Sequence, residues 1–317
     1  MLNECRIIEM LKDAFPEFIG DDAAVLPELN HAHTVITKDL LVEDVHFRLR
    51  YCSPEALAHK ALHVNLSDLA AMGATPQYVM LGLSIPVSYE PTWIHLFLKS
   101  FCDACLKAGV SLIGGDTTTS QKGLFISVTA IGSASSHQVK ARTHAKPHAI
   151  VAVAGQLGYA HIGLKTLEDN LEGFDTFKQA FLTPTARVSE GLWFSSEPSV
   201  QAMMDTSDGV YTDLSKLCKA SGLGVEIELE NIQKTDEFSM ACFNLALDPT
   251  SVQFSGGEDY GLLVVVDAKA YPNVSKRFAQ SFGYALNRIG RTVEKDGVNF
   301  LEKGHPRILD LTPYSHF

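Results

Sequence analysis

A chain of 317 residues, 46% hydrophobic and 20% charged, carries enough apolar material for a substantial core and falls in the globular class. Its 26 Lys and Arg against 37 Asp and Glu give a formal charge of −11. That balance excludes a broad phosphate-tracking basic surface, and with it nucleic acid or anionic lipid as the natural partner. No apolar run reaches the length of a membrane span, and Glu4, Arg6, Glu9, Lys12 and Asp13 interrupt the apolar residues at the start of the chain, unlike a signal peptide. A cytoplasmic protein is expected. Six cysteines are too sparse for a disulfide framework. Cys102 and Cys105 have CxxC spacing, but they lie in a helical pattern with no second CxxC or nearby His to complete a zinc site.

In chain order, residues 1–18 read as an amphipathic helix with Ile7, Ile8, Leu11 and Phe15 on one side. A short strand is expected at 34–37. Ser53 is an N-cap candidate with Pro54 at the first helical position, which predicts a helix over 54–72, before Gly73. A strand follows at 78–84, then a helix over 92–108 stopped by Gly109, an apolar stretch at 110–113, and a strand at 124–131. Residues 140–148 turn polar around Pro147 and suit a crossover between domains. Beyond it, strands are expected at 149–154, 224–229, 262–266 and 284–289, and helices at 187–195, 208–220 and 268–282. No repeat or low-complexity tract appears. The class is α/β (α+β), in two domains.

Six segments place carboxylates in glycine-rich or turn-like contexts beside apolar runs: Gly20-Asp21-Asp22, Thr37-Lys38-Asp39, Asn65-Leu66-Ser67-Asp68, Gly114-Gly115-Asp116-Thr117, Asp205-Thr206-Ser207-Asp208-Gly209 and Gly256-Gly257-Glu258-Asp259. Taken singly, each reads as an Asx turn or a cap; Asp208 would cap the helix after it, and Asp68 would be a solvated helix residue. Taken together, they read as an oxygen-only site for hard cations, Mg²⁺ before Ca²⁺ because no EF-hand spacing is present. Such a site lets an acidic protein hold a polyphosphate, since the metal reverses the local charge. Gly114-Gly115 and Gly256-Gly257 would let backbone N–H groups approach phosphate oxygens. The GxxxxGK[ST], GxGxxG, kinase and GxSxG motifs are absent, and the Gly155-Gln156-Leu157-Gly158 loop is a weak phosphate-binding signal.

The ordered stretches GDDAAVL (20–26), KALHVNLSDLAAMGATP (60–76), LIGGDTT (112–118), DTSDGVYTDL (205–214) and SGGEDYGLL (255–263) together resemble the thiamine-monophosphate kinase family, within the superfamily named for aminoimidazole ribonucleotide synthetase. The resemblance runs from Gly20 to the C-terminus. It implies a homodimer sharing a β-barrel built by the N-terminal domains (1–142) and a C-terminal α/β sandwich (143–317). It also implies ATP as co-substrate, thiamine monophosphate as acceptor and several Mg²⁺ ions, in a cleft between domains near the dimer interface. The implied metal ligands are Asp22, Thr37, Asp39, Asp68, Asp116, Asp205 and Asp208. Gly115, Asp116, Arg142 and Ser207 match nucleotide positions, and His46 and Glu258 match substrate positions. On residue chemistry alone, His46 reads first as a packed core histidine and Arg142 as a surface ion pair, and the ordered motifs reverse that preference. Three positions depart from the family pattern. Lys38 stands where a small hydroxyl residue contributes a metal ligand, Gly261 stands where GEDYEL has Glu, and Leu311 stands near the place of an aromatic that packs on substrate. Two rival readings remain: another ATP-dependent synthetase of the superfamily, of aminoimidazole ribonucleotide or selenophosphate type, and a non-catalytic nucleotide-binding regulator. Cys5 precedes Arg6, whereas the reactive Cys of selenophosphate synthetases precedes Lys.

Overall fold

The computed structural model describes residues 24–26 and 33–311. Its first half runs β1 (Ala24–Leu26), β2 (His33–Val42), α1 (Pro54–Ala71), β3 (Thr75–Pro86), α2 (Pro91–Ala108), β4 (Ser111–Ser120) and β5 (Phe125–Ala134), and the strands form one sheet in the order β1-β2-β5-β3-β4. β2, β5 and β3 are antiparallel neighbours. β3 and β4 are parallel, as α2 supplies the crossover that parallel pairing needs. The two-residue period sorts the side chains. Val35, Thr37 and Leu41 of β2, Val79 and Leu81 of β3, and Ile126 and Val128 of β5 are buried, and the apolar ones pack with Leu62 and Leu66 of α1 and Phe97 and Phe101 of α2. Leu40, Tyr78, Met80 and Phe125 stand exposed on the opposite face.

Ser53 caps α1 by accepting the Ala56 N–H at 3.2 Å, and Pro54 occupies its first turn. Twelve of its eighteen residues are buried, far more than a one-sided amphipathic helix hides, because α1 is sandwiched between the two halves of the molecule. Leu57, Leu62 and Leu66 pack with the first sheet, while Ala70 and Ala71 pack with Phe194 and Met203 of the second half.

Residues 135–149, with a 3-10 turn at Arg142–His144, connect to a seven-stranded sheet of order β12-β11-β8-β10-β6-β9-β7. Its elements are β6 (Ile150–Ala154), α3 (Tyr159–Glu168), α4 (Asp175–Leu182), α5 (Val188–Ser196), β7 (Val200–Asp205), α6 (Val210–Ser221), β8 (Gly224–Glu228), α7 (Asp236–Asn244), α8 (Pro249–Ser255), β9 (Leu262–Val266), α9 (Tyr271–Phe282), β10 (Asn287–Val293), β11 (Gly297–Glu302) and β12 (His305–Arg307). β6 and β9 are buried along their whole length. Alternate residues meet Leu214, Leu217 and Phe254 on one face and Phe194, Val274 and Phe278 on the other, so these strands read as unbroken apolar runs.

Several expectations change. The helix expected over 1–18 lies outside the described residues. The 114–116 glycine-aspartate segment, read as a turn, continues β4, because pairing with β3 overrides the local preference of glycine. α6 starts at Val210 with Gly209 at its cap position and no side-chain cap, so Asp208 does not cap it. β10 begins at Asn287 and extends to Val293. α4, α7, α8, β7, β11 and β12 were not legible as separate elements.

Candidate active site

Three polar residues of α1 organise the junction between the two sheets. Asn65 accepts the Asp39 N–H through Oδ1 at 3.0 Å and donates to Ala61 O at 3.1 Å, fixing the β2 backbone beside α1. Ser67 donates to Asp205 Oδ2 at 2.8 Å, and Asp68 accepts the hydroxyl of Thr37. Asp68 is therefore engaged with its own layer and is not a solvated helix residue. Asp39 and Asp68 stand on the first layer, and Asp205 ends β7 in the second.

The loop after β7 and the loop before β9 extend their strands as a pair. Thr206 N–H donates to Gly261 O at 3.0 Å, Tyr260 N–H to Thr206 O at 2.9 Å, and Glu258 N–H to Ser207 O at 2.7 Å. A Cβ on Gly257 would lie 2.7 Å from Ser207 O, so this glycine permits the close approach of the two loops. Gly261 donates to Thr206 Oγ1 at 2.8 Å, and a side chain there would meet Ala154 O. The departure from the family pattern at Gly261 is thus built into the packing of β6 against this turn.

Tyr260 marks the convergence. Burial first, then the negative charge of Glu258, Asp39, Asp205 and Asp68, holds its phenol well above the usual range. Burial and these charges, drawn from both halves of the chain, disfavour the phenolate.

Asp208 pairs with Lys216 one helical stretch further on, and its N–H donates to Asp213 Oδ2 at 3.3 Å. Burial lowers Lys216, but the charges of Asp208 and Asp213 outweigh it and hold the ammonium above its ordinary value, against the nearby Arg142. Arg142, 9% exposed, is a buried cation whose charge is felt at Lys216, and not a surface ion pair. Ser207 Oγ lies 3.5 Å from Asp205 Oδ1.

Other expected site residues stand apart. Asp22 lies outside the described residues. Lys38 projects to the face of β2 opposite Thr37 and Asp39, where its ammonium donates to Ser127 and, at 3.2 Å, to Thr129 Oγ1; strand alternation turns it away from the carboxylates. Asp116 is exposed on β4. The register places it in one row with Gly82, Ser127 and Leu40, which is the open face. Gly115 admits the backbone of β3, since a Cβ would overlap Leu81 O, so close strand packing accounts for it. His46 follows β2 and accepts the Val42 N–H at Nδ1 (3.0 Å), which puts the proton of the neutral ring on Nε2. Leu311 packs against the second-domain cluster that contains Phe300 and Tyr211.

Among the described residues no three His, Cys, Asp or Glu side chains converge as a ready metal cage. The donor set is nevertheless all oxygen. Mg²⁺ is ordinarily held by one or two carboxylates with water and phosphate completing its shell, and that mode fits these residues. Sequence reasoning missed Lys60, Asn65, Ser67, Tyr260 and Lys216. The available signal was polar residues at positions of α1 where its burial demands apolar ones, and the Tyr inside GEDYG.

Residues 20–134 match the family model described as AIR synthase related protein, N-terminal domain, and residues 149–302 match its C-terminal domain counterpart. The thiamine-monophosphate kinase of Bacillus subtilis is 31% identical over 309 residues, covering 94% of this chain and 93% of its own. That of Escherichia coli is 32% identical over 308 residues, covering 94% and 91%. The solved structure named AaThiL complexed with AMPPCP and TMP superposes with a TM-score of 0.88 at 29% identity, covering 100% of this chain and 97% of that one. Hydrogenase maturation protein HypE of E. coli, at 22% identity and a TM-score of 0.74 over 97% of each chain, shares the fold.

Proposed function

Because the chain belongs to the thiamine-monophosphate kinase family, we propose that it transfers the γ-phosphoryl group of ATP to thiamine monophosphate, giving ADP and thiamine diphosphate. The observation that carries this reading is the convergence of the charges of Asp39, Asp68, Asp205 and Glu258 on Tyr260, with Lys216 paired to Asp208 and Arg142 acting on Lys216.

The acceptor nucleophile is a phosphate oxygen, already anionic near neutral pH because the second phosphate pKa is about 6, so no general base is required. The chain has to align two anionic reactants and offset their repulsion as the γ-phosphoryl group passes through a loose transition state. Asp39, Asp68, Asp205 and Asp208, with Asp22, Thr37 and Asp116, are the oxygen ligands we assign to Mg²⁺. When bound, Mg²⁺ would supply positive charge to offset the repulsion between the phosphates of the two reactants. Lys38, facing the other way, is left out of this set. Arg142 supplies fixed positive charge to the nucleotide side, and Ser207 and Gly115 present their loop and strand to it. We assign His46 and the carboxylate of Glu258 to the acceptor; Leu311 closes the second domain nearby. We divide the chain at 142/143, with the cleft between the two parts.

We further read the exposed face bearing Leu40, Tyr78, Met80 and Phe125 as covered by a second copy of the chain in a cytoplasmic homodimer. Large apolar side chains exposed together on one sheet face, here among Lys38, Ser127, Thr129 and Asp116, are a feature of surfaces that bind a partner. Asp116 lies on that face, so in this reading it serves the cleft of the partner. No helix among the described residues is long and apolar enough to cross a membrane. Incubation with Mg-ATP and thiamine monophosphate, followed by chromatography, should yield thiamine diphosphate with equimolar ADP. Folded protein that yields none rules the reading out.

A further inference from the structure

Lys60 is buried in the middle of α1, its side chain 1% exposed. Its ammonium donates to Glu258 Oε2 at 2.5 Å and to Phe181 O at 3.1 Å, and lies 3.6 Å from the centroid of the Phe181 ring. Burying an ammonium costs several kcal/mol before its partners repay it, and an apolar side chain of similar volume commonly serves packing as well. Packing therefore does not explain a lysine here. α1 is already joined to the second half by Ser67 on Asp205 and by His59 Nε2 on Pro184 O at 2.8 Å.

The partner is as constrained as the lysine. Glu258 has φ +64°, a conformation a non-glycine residue adopts only when its surroundings impose it. Its N–H is fixed on Ser207 O and its Oε2 on Lys60. Oε1, on a side chain 25% exposed, makes no hydrogen bond among the described residues. One carboxylate oxygen is thus pinned from behind by the first layer while the other remains for a ligand.

We propose that Lys60 is a positioning residue for the phosphoryl acceptor: it locks Glu258 in one orientation, so that Oε1 meets the cationic, amino-bearing organic half of thiamine monophosphate. This rests on the reading of Glu258 as an acceptor contact. A carboxylate held at one oxygen presents its charge at a fixed point, which suits a permanent thiazolium cation, and binding then loses less side-chain entropy. Lys60 touches neither reactant; it acts through Glu258.

The test uses the full chain with Mg-ATP and compares wild type, K60M, K60R, E258Q and the K60M/E258Q double variant. We expect K60M to raise KM for thiamine monophosphate about tenfold or more with KM for ATP unchanged, K60R to recover most of the loss, and K60M to add nothing in the E258Q background. Equal effects on both KM values, a fall in Tm alone, or additive losses in the double variant overturn the proposal. Should K60M fail to fold, K60Q keeps a donor at the same depth and should give an intermediate rise; an unchanged KM for K60Q likewise overturns it. If wild type makes no thiamine diphosphate, the function itself has failed, a result distinct from wild type being active with E258Q and K60Q indistinguishable from it.

Discussion

Ser67 Oγ donates to Asp205 Oδ2 at 2.8 Å, tying the middle of α1 to the end of β7. Asp205 is 2% exposed, so deleting this donor removes hydrogen bonding from a buried carboxylate. Such a loss costs about 1–3 kcal/mol. Ser67→Ala should lower Tm by several degrees and reduce kcat/KM about tenfold, read by thermal melts and steady-state kinetics. Normal values for both would show the bond to be incidental.

Asp208→Asn and Asp116→Asn should each fold normally and lose turnover to below about 1% of wild type, because in the proposed function each removes a carboxylate assigned to Mg²⁺. The two inactive variants, dissociated and reassociated together, should recover about a quarter of wild-type activity. A mixed dimer with closed two-fold symmetry pairs an intact Asp208 with an intact Asp116 in one of its two sites. A mixture that stays dead would place both acids in the same chain's site.

The open sheet face makes a separate prediction. Met80, 42% exposed, lies on the same face as Tyr78 and Leu40, and a charge there should prevent burial against a second copy. Met80→Glu should run as a monomer in light scattering while keeping its circular dichroism. A wild-type chain that is itself monomeric would refute the homodimer directly.

Acid should weaken the protein through His63. Its ring stacks on His59 with centroids 3.9 Å apart, and its Nδ1 accepts the Ala186 N–H at 3.2 Å. Burial first, then the neighbouring His59, pushes it down to about 4. The unfolded chain titrates near 6.5, so it takes up the proton first. The stability this group contributes is therefore complete above pH 6.5 and is lost as pH falls toward 4. Asp259 acts with the opposite sign: burial pushes it up to about 7, so its share is lost as pH rises through 4 to 7. Denaturant titrations of wild type and His63→Gln, compared as a difference across pH, should show a flatter acid limb in the variant. Parallel curves would exclude His63.

Local chemistry was the most legible part of the sequence. The Ser53-Pro54 start of α1 and the Gly109 end of α2 depend on neighbours within one turn, and both stand where caps and φ preferences put them. The ordered acidic motifs were legible as a family pattern. What depends on distant pairing was not. Asp116 reads as a turn acid from its glycines, yet pairing with β3 makes it a strand residue on the open face. Lys60, Asn65 and Ser67 look like the polar side of a surface helix until a second layer covers it. Lys38 is the instructive case, since its place between Thr37 and Asp39 in a strand already implied the opposite face.

The burial of α1 on both sides also bears on how the two halves of the chain can move. Lys60 to Glu258, Ser67 to Asp205, His59 to Pro184 and His63 to Ala186 all cross from this helix to the second half. Separating the halves as rigid bodies would break these links together and expose the apolar residues around them. A hinge between the two sheets would therefore have to break these links together, so they tie motion of either half to this one helix.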